Sequence, residues 1–60
     1  MRALRYKAVV DGKVIWESNS VKRCKEKCDY ELAHNGYFAA IKVGRKEYAT
    51  RFYDTEWVRH

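Results

Sequence analysis

The dipeptide Asp11-Gly12 constrains the fold more than any other feature, because it lies between two short runs of β-forming residues. A two-residue type I′ turn needs positive φ at both central positions, which Asp and Gly tolerate better than most residues. The sequence therefore predicts a β-hairpin whose strands cover residues 4–10 and 13–17.

A second hairpin is predicted around Gly44-Arg45. Glycine stands first in this pair, as a type II′ turn requires. The flanking runs, residues 37–43 and 46–53, contain aromatic and apolar residues that favour strands. We therefore predict one strand on each side of this turn.

The segment between the hairpins is predicted to form a helix over residues 21–34. Ser18, Asn19 and Ser20 offer side-chain acceptors for the free N–H groups of a first helical turn. Asn35-Gly36 is predicted to end the helix, since both residues tolerate the left-handed conformation of a C-cap. Apolar residues recur at intervals of three, four and four, which places them on one helical face, namely Val21, Cys24, Cys28 and Leu32.

Together these elements predict an α+β fold in the order hairpin–helix–hairpin (ββαββ), with one helix packed on a four-stranded sheet. Sixty residues allow one domain, covering 1–60, in which residues 54–60 form a short C-terminal tail. In element order and length, the chain resembles the small β-grasp domains of bacterial immunoglobulin-binding proteins. This resemblance concerns the fold and implies no functional residue.

Two-residue turns set the strand register, and the register predicts which residues share a face. Ala8 is predicted opposite Ile15, and Ile41 opposite Tyr48. In each hairpin the more apolar set is expected beneath the helix. The other face is expected to be open to solvent and to combine basic with aromatic side chains, namely Arg5, Lys7, Trp16, Phe38, Lys42, Arg51 and Tyr53.

This predicted surface has three interpretations. Rings can stack on bases while cations hold phosphates, which favours single-stranded nucleic acid. Trp, Tyr, Phe and Arg are also enriched at protein interfaces. The third interpretation is an ordinary surface, in which aromatic and long basic side chains cover one another across strands. The residues alone leave all three open.

The predicted helix carries cations where its dipole favours anions. Its first half is basic and its later half contains most of its acidic residues. Because a helix N-terminus attracts anions, Ser20, Lys22 and Arg23 are candidate ligands for a phosphate or carboxylate. The alternative is a solvated charged face with no ligand.

Neither a metal site nor catalysis is predicted. Cys24 and Cys28 lie on the helix stripe that should face the sheet, where free cysteine acts as a small hydrophobe. No second ligand pair accompanies them, as structural zinc sites require. His34 falls off the face of Cys28 and is a poor base for a thiolate nucleophile. We therefore expect a non-enzymatic protein with no cofactor and with buried, reduced thiols.

Composition indicates the class of partner. The chain carries thirteen Lys and Arg against eight Asp and Glu, a net charge of +5, which favours acidic proteins or nucleic acids. No apolar run is long enough for a membrane helix, so no membrane partner is expected. The chain has two cysteines, four residues apart on one predicted helix, whose sulfur atoms cannot easily reach bonding distance. Free thiols are typical of a reducing compartment, so we predict a cytoplasmic location.

These features predict a small binding module that docks on a protein partner, acidic or nucleic-acid-handling, and modulates it. Phage and bacterial accessory genes often encode short chains of this kind. The alternative is a nucleic-acid-binding regulator that uses the basic and aromatic sheet face. In either case we expect a leading contribution from Trp16, as an interface anchor or by stacking on a base. A homodimer is one form that such a module could take.

Overall fold

The computed structural model describes residues 5–60, which form one α-helix and five β-strands. Their bounds are β1 (Tyr6–Val10), β2 (Lys13–Ser18), α1 (Val21–His34), β3 (Phe38–Val43), β4 (Lys46–Phe52) and β5 (Val58–Arg59). The strands form one antiparallel sheet in the order β2-β1-β3-β4-β5, and α1 packs on one side of it. The predicted α+β class and helix bounds are confirmed. The sheet has five strands instead of the predicted four.

Both predicted turns are confirmed by their backbone angles. Asp11 has φ of 52° and Gly12 has φ of 84°, as a type I′ turn requires. Gly44 has φ of 61°, while Arg45 is not among the residues with positive φ. That combination of signs fits the type II′ turn.

Asp11 has a second role that the sequence analysis did not predict. Its Oδ1 accepts hydrogen bonds from the backbone N–H groups of Tyr37 (3.2 Å) and Phe38 (3.0 Å). Its own N–H donates to the carbonyl of Phe38 at 2.9 Å. The tip of the first hairpin is thereby fixed to the start of β3, which joins the two hairpins into one sheet.

The helix begins as predicted, with the Ser20 hydroxyl accepting a hydrogen bond from the Arg23 N–H at 3.4 Å. The predicted apolar stripe faces the sheet: three of its residues are buried and the fourth, at the first helical position, packs against the same core. Its members are Val21, Cys24, Cys28 and Leu32. Within residues 5–60, no helix has the length and apolar character needed to cross a membrane.

The predicted left-handed C-cap is wrong. Asn35, the C-cap residue, has φ of −137°, and Gly36 is not among the glycines with positive φ. Gly36 is needed for a steric reason instead: an added Cβ would lie 2.8 Å from Val10 Cγ1 and 3.1 Å from Leu32 Cδ2. The missing side chain lets the chain leave the helix directly against the core.

We expect Gly36→Ala to lower the free energy of unfolding by about 1–2 kcal/mol, because the added methyl forces Val10 and Leu32 out of their packed positions. Denaturant unfolding of the variant and the parent measures the difference. Gly36→Ala in a Val10→Ala background is the control, since Val10→Ala removes the closest clashing atom and the cost of the methyl should shrink. An unchanged midpoint for Gly36→Ala alone would contradict the steric role.

The first hairpin contains a β-bulge that the predicted register lacks. Val9 lies opposite Val14, as predicted, but Ala8 lies opposite Trp16, so Ile15 is an extra residue. A one-residue slip moves the following side chains to the other face of the sheet. The predicted pairing of Ala8 with Ile15 is therefore wrong, and so is the face predicted for Trp16.

The second hairpin contains an equivalent bulge. Lys42 lies opposite Glu47, but Ile41 lies opposite Ala49 instead of the predicted Tyr48, which is the extra residue. Both extra residues, Ile15 and Tyr48, pack against the core beneath α1. Regular pairing would also have placed Ile15 and Tyr48 on this side, so the effect of each bulge is to move the residues beyond it to the other face of the sheet.

The predicted tail, residues 54–60, contains a fifth strand. Val58 and Arg59 pair with the outer edge of β4. Trp57 packs against the core, and its Nε1 donates to Asp29 Oδ1 at 3.1 Å. His60 Nε2 lies 2.7 Å from Thr50 Oγ1. Because two residues are too few to show strand alternation, this element has no signal in the sequence.

Candidate functional site

Two of the seven predicted sheet-face residues lie on the helix side of the sheet. Residues directly opposite on neighbouring strands share a face. Trp16 lies opposite the fully buried Ala8, and Arg51 lies opposite the fully buried Ala39.

Contacts with α1 support both placements. Lys27 Nζ lies 4.4 Å from the centroid of the Trp16 ring. Arg51 Nη1 lies 2.9 Å from Asp29 Oδ1 in an ion pair. The structure thus separates Trp16 and Arg51 from the surface to which they were assigned, and the bulges are the reason.

The other predicted residues lie on or beside the surface opposite α1, which we call the open face. Lys7 and Lys42 are opposite each other on β1 and β3. Arg5 Nε lies 3.5 Å from Glu17 Oε1, and Glu17 is opposite Lys7. Phe38 is also on this face, two residues from Ala40 along β3.

Tyr53 lies just beyond the end of β4, where its N–H donates to the Tyr37 carbonyl at 2.9 Å. The centroids of the Tyr37 and Tyr53 rings are 5.5 Å apart. Tyr53 therefore belongs to the end of the sheet and not to the middle of the open face.

Charges on the open face form one row across four strands. The row reads Glu17, Lys7, Lys42, Glu47 from β2 to β4, and each member is opposite the next. With Arg5 included, three cations face two carboxylates, so this row carries little of the net charge of the chain. The predicted basic residues of this face are therefore largely balanced by carboxylates.

Beside the charged row lies an almost wholly apolar one that crosses all five strands. Its members are Val14, Val9, Ala40, Thr50 and Val58. Val9 and Ala40 at its centre are buried although no helix covers them, whereas Val14 is 53% and Val58 57% exposed. Phe38 and Phe52 lie opposite each other next to this row, with ring centroids 4.8 Å apart. Neither Phe52 nor Val58 was predicted on this face.

Positive charge is concentrated at one end of the molecule instead. Pairing of Tyr6 with both Ser18 and Val43 brings the start of β1, the start of α1 and the β3–β4 turn to the same end of the sheet. We call this region the basic end. Its exposed cations are Arg5, Lys22, Arg23, Arg45 and Lys46.

The predicted anion ligands all lie at the basic end. The Ser20 hydroxyl already accepts the capping N–H of Arg23, while Lys22 and Arg23 extend into solvent. Arg45 and Lys46 join them only because the second hairpin folds against the first. Helix periodicity carries no information about that contact, so the sequence analysis missed both residues.

The two thiols lie in the core and are free. Burial is the main cause that raises the pKa of the Cys28 thiol from 9.0 to about 12, with smaller contributions from Cys24 and the Asp29 carboxylate. Burial also raises the pKa of Cys24, whose Sγ lies 3.6 Å from the Tyr6 carbonyl oxygen. Both groups therefore stay as neutral thiols at ordinary pH, which makes them poor nucleophiles. Within residues 5–60, no three Cys, His, Asp or Glu side chains come together as a candidate metal site.

Comparison with models of protein families, with curated protein sequences and with solved structures finds no match to this chain. The resemblance to β-grasp domains therefore stays one of element order and length.

Proposed function

We propose that this protein is a small, non-enzymatic module that docks through its open face on an acidic protein partner and modulates it. The observation that carries the proposal is the apolar row from Val14 to Val58, flanked by Phe38 and Phe52. An antiparallel sheet can keep one face in water, but that face is then usually polar. A row with apolar side chains on four of its five strands, and Thr50 on the other, is more typical of a surface that becomes covered.

The size of the open face suits a modest interface. Four strands of five to seven residues, about 4.8 Å apart, span roughly 19 by 20 Å, and the two residues of β5 extend one edge. Specific interfaces bury about 800 Å² on each partner, and transient signalling contacts bury less. The open face therefore supports a reversible complex better than a permanent one.

Chemistry also separates the apolar row from its surroundings. Interface cores are depleted in charge and enriched in aromatic residues, while the rim is polar. Here Phe38 and Phe52 lie beside the apolar row on one side, and the charged row with Lys7 and Lys42 lies on the other. That arrangement corresponds to a core and part of its rim.

Charge selects an acidic partner. The basic end adjoins the charged row of the open face, and together they place an uneven positive potential along one side of the docking surface. Such a potential raises the rate of encounter with an acidic surface and orients the two proteins before contact. Affinity then comes from the apolar row, and the rate of association from the basic end.

Nucleic acid is the second candidate, and one observation favours it. Exposed cations from three separate elements converge at the basic end, next to the N-terminus of α1, and could hold phosphates. The open face supports this function less well, because Trp16 lies under Lys27 and the open-face lysines have carboxylates opposite them.

The two functions are separated by two sets of variants in two assays. The face set is Val14→Ser with Val58→Ser, and the end set is Lys22→Gln with Arg45→Gln. The first assay measures, by the change in molecular size, whether the protein forms a complex in extracts of the producing cells. The second measures the affinity for a single-stranded oligonucleotide at several salt concentrations. Trp16→Ala, which alters the helix side, is the control for effects on folding.

We expect the face set to abolish the protein complex and to leave any oligonucleotide binding unchanged. The end set should slow formation of the complex and increase its sensitivity to salt. If the face set keeps the complex while the end set removes salt-dependent oligonucleotide binding, the nucleic-acid function replaces the docking function.

A further inference from the structure

Four aromatic rings form a continuous cluster where β3 begins and β4 ends, at the opposite end from the basic end. Tyr37 lies 5.5 Å from both Phe52 and Tyr53, and Phe38 lies 4.8 Å from Phe52, between ring centroids. Tyr37 is 59% exposed, Tyr53 54% and Phe52 43%. We call Tyr37, Phe38, Phe52 and Tyr53 the aromatic end.

The backbone beneath these rings is held by side chains as well as by the sheet. The Asp11 carboxylate accepts from the N–H groups of Tyr37 and Phe38. Thr55 Oγ1 accepts from the Phe52 N–H at 2.9 Å, and Arg51 donates to the carbonyls of Phe52 and Tyr53. Exposed rings on a fixed backbone lose little conformational entropy when they bind a ligand. The aromatic end is therefore preorganised although it contributes little to the core.

Three of the five aromatic rings outside this cluster have a cation over them. Lys27 lies over Trp16, Lys25 over Trp57 and Arg59 over Tyr48, at 4.4, 5.8 and 6.0 Å from the ring centroids. Within residues 5–60, no cation lies over any ring of the aromatic end. These four rings also have negatively polarised faces, and no cation of the described residues binds to them.

Charge around the aromatic end favours a cation and disfavours phosphate. Asp11 bonds to the first two residues of the cluster, and Asp54 follows its last residue. The guanidinium of Arg51, the nearest cation in the sequence, donates to the backbone carbonyls of this cluster, but its charge is paired with Asp29. A guanidinium group can stack on a tyrosine ring and hydrogen-bond to a carboxylate at the same time, which an ammonium group does less well.

We propose that the aromatic end binds arginine side chains of a protein segment. The site combines stacking on Tyr37 and Tyr53 with carboxylates at Asp11 and Asp54. The site adjoins the apolar row through Phe38 and Phe52, but the side chains proposed to contact arginine lie outside that row, so the proposal does not depend on docking through the open face. The net charge of +5 repels basic peptides in general, so binding of one would have to come from this local surface.

The test uses three synthetic peptides of equal length with alternating Gly-Arg, Gly-Lys or Gly-Glu sequence, titrated into the full chain and followed by NMR. We expect the arginine peptide to bind most tightly, with saturable shifts at Tyr37 and Tyr53. The combined Tyr37→Ser and Tyr53→Ser variant should bind it about tenfold more weakly, because each cation–π contact contributes a factor of about two to five. Tyr30→Ser, which removes an exposed tyrosine of α1 outside the cluster, should leave the affinity unchanged.

Asp54→Asn provides a second variant that keeps every ring, and it should weaken the arginine peptide about two- to threefold. Equal affinity for the arginine and glutamate peptides would overturn the proposal. So would shifts confined to residues outside the aromatic end, or a single-stranded oligonucleotide that shifts Tyr37 and Tyr53 as the arginine peptide does. None of these variants alters Val14 or Val58, so failure here leaves the docking proposal intact.

Discussion

The free energy of unfolding is expected to fall steeply as the pH rises from about 9 to about 12, because of Cys28. The unfolded chain loses the thiol proton near the ordinary pKa of 9.0, whereas burial in the folded protein raises that pKa to about 12. Between these values the unfolded state binds fewer protons than the folded state. The thiol therefore lowers stability by up to about 1.4 kcal/mol per pH unit, or about 4 kcal/mol over the whole range.

This contribution to stability is fully present below the unfolded pKa and is lost as the pH rises through the folded pKa. Denaturant unfolding at a series of alkaline pH values measures it. The matched control is Cys28→Ala, in which only the thiol is removed and every other side chain is kept. The variant should show a shallower alkaline slope than the parent, and equal slopes would contradict a buried, protonated Cys28.

Asp11→Ala is expected to lower the free energy of unfolding by about 2–3 kcal/mol. Two backbone N–H groups at the start of β3 lose their acceptor, at about 0.5–1.5 kcal/mol each. Alanine must also adopt the positive φ of 52° that Asp tolerates, which costs about 1 kcal/mol more. Chemical denaturation of the parent and the variant gives the difference.

Two further substitutions separate these causes. Asp11→Asn keeps one acceptor oxygen and tolerance of positive φ, so it should cost less than about 1 kcal/mol. Asp11→Gly relieves the backbone angle but loses the carboxylate, and should fall between the other two. If Asp11→Ala and Asp11→Gly are equally destabilised, the backbone angle contributes nothing. If Asp11→Ala has the same free energy of unfolding as the parent, the hydrogen bonds from the Asp11 carboxylate to the start of β3 do not stabilise the fold.

Local rules accounted for the elements that the sequence predicted correctly. The two turns depend on φ preferences of Asp11-Gly12 and Gly44, and the helix on a repeating apolar stripe and a Ser20 cap. Each of these signals lies within a few residues of the structure that it specifies. The bounds of α1 agree with the prediction for this reason.

The errors arose where a distant part of the chain decides the outcome. The bulges at Ile15 and Tyr48 reversed the faces of Trp16 and Arg51, which now lie on the same side of the sheet as α1. The fifth strand depends on Trp57 reaching Asp29 across the fold. Neither the bulges nor the fifth strand can be predicted from the local sequence pattern.

The candidate site was affected more than the fold. Correct strands in the wrong register still give an α+β sheet, but they give a different surface. Removal of Trp16 and Arg51 and addition of Phe52 and Val58 leave a face with an apolar row beside a row of nearly balanced charges. That change is why we place protein docking before nucleic-acid binding.

Site-specific photo-crosslinking in the producing cells tests the central claim, that the open face is the docking surface, most directly. A photoreactive amino acid is introduced at Val14 or Val58 on the open face, and at Trp16 or Tyr30 on the helix side as matched controls. We predict that Val14 and Val58 give the same crosslinked protein, of acidic composition, and that the control positions give none. Crosslinks to that protein only from Trp16 and Tyr30, or equally from all four positions, would contradict the claim.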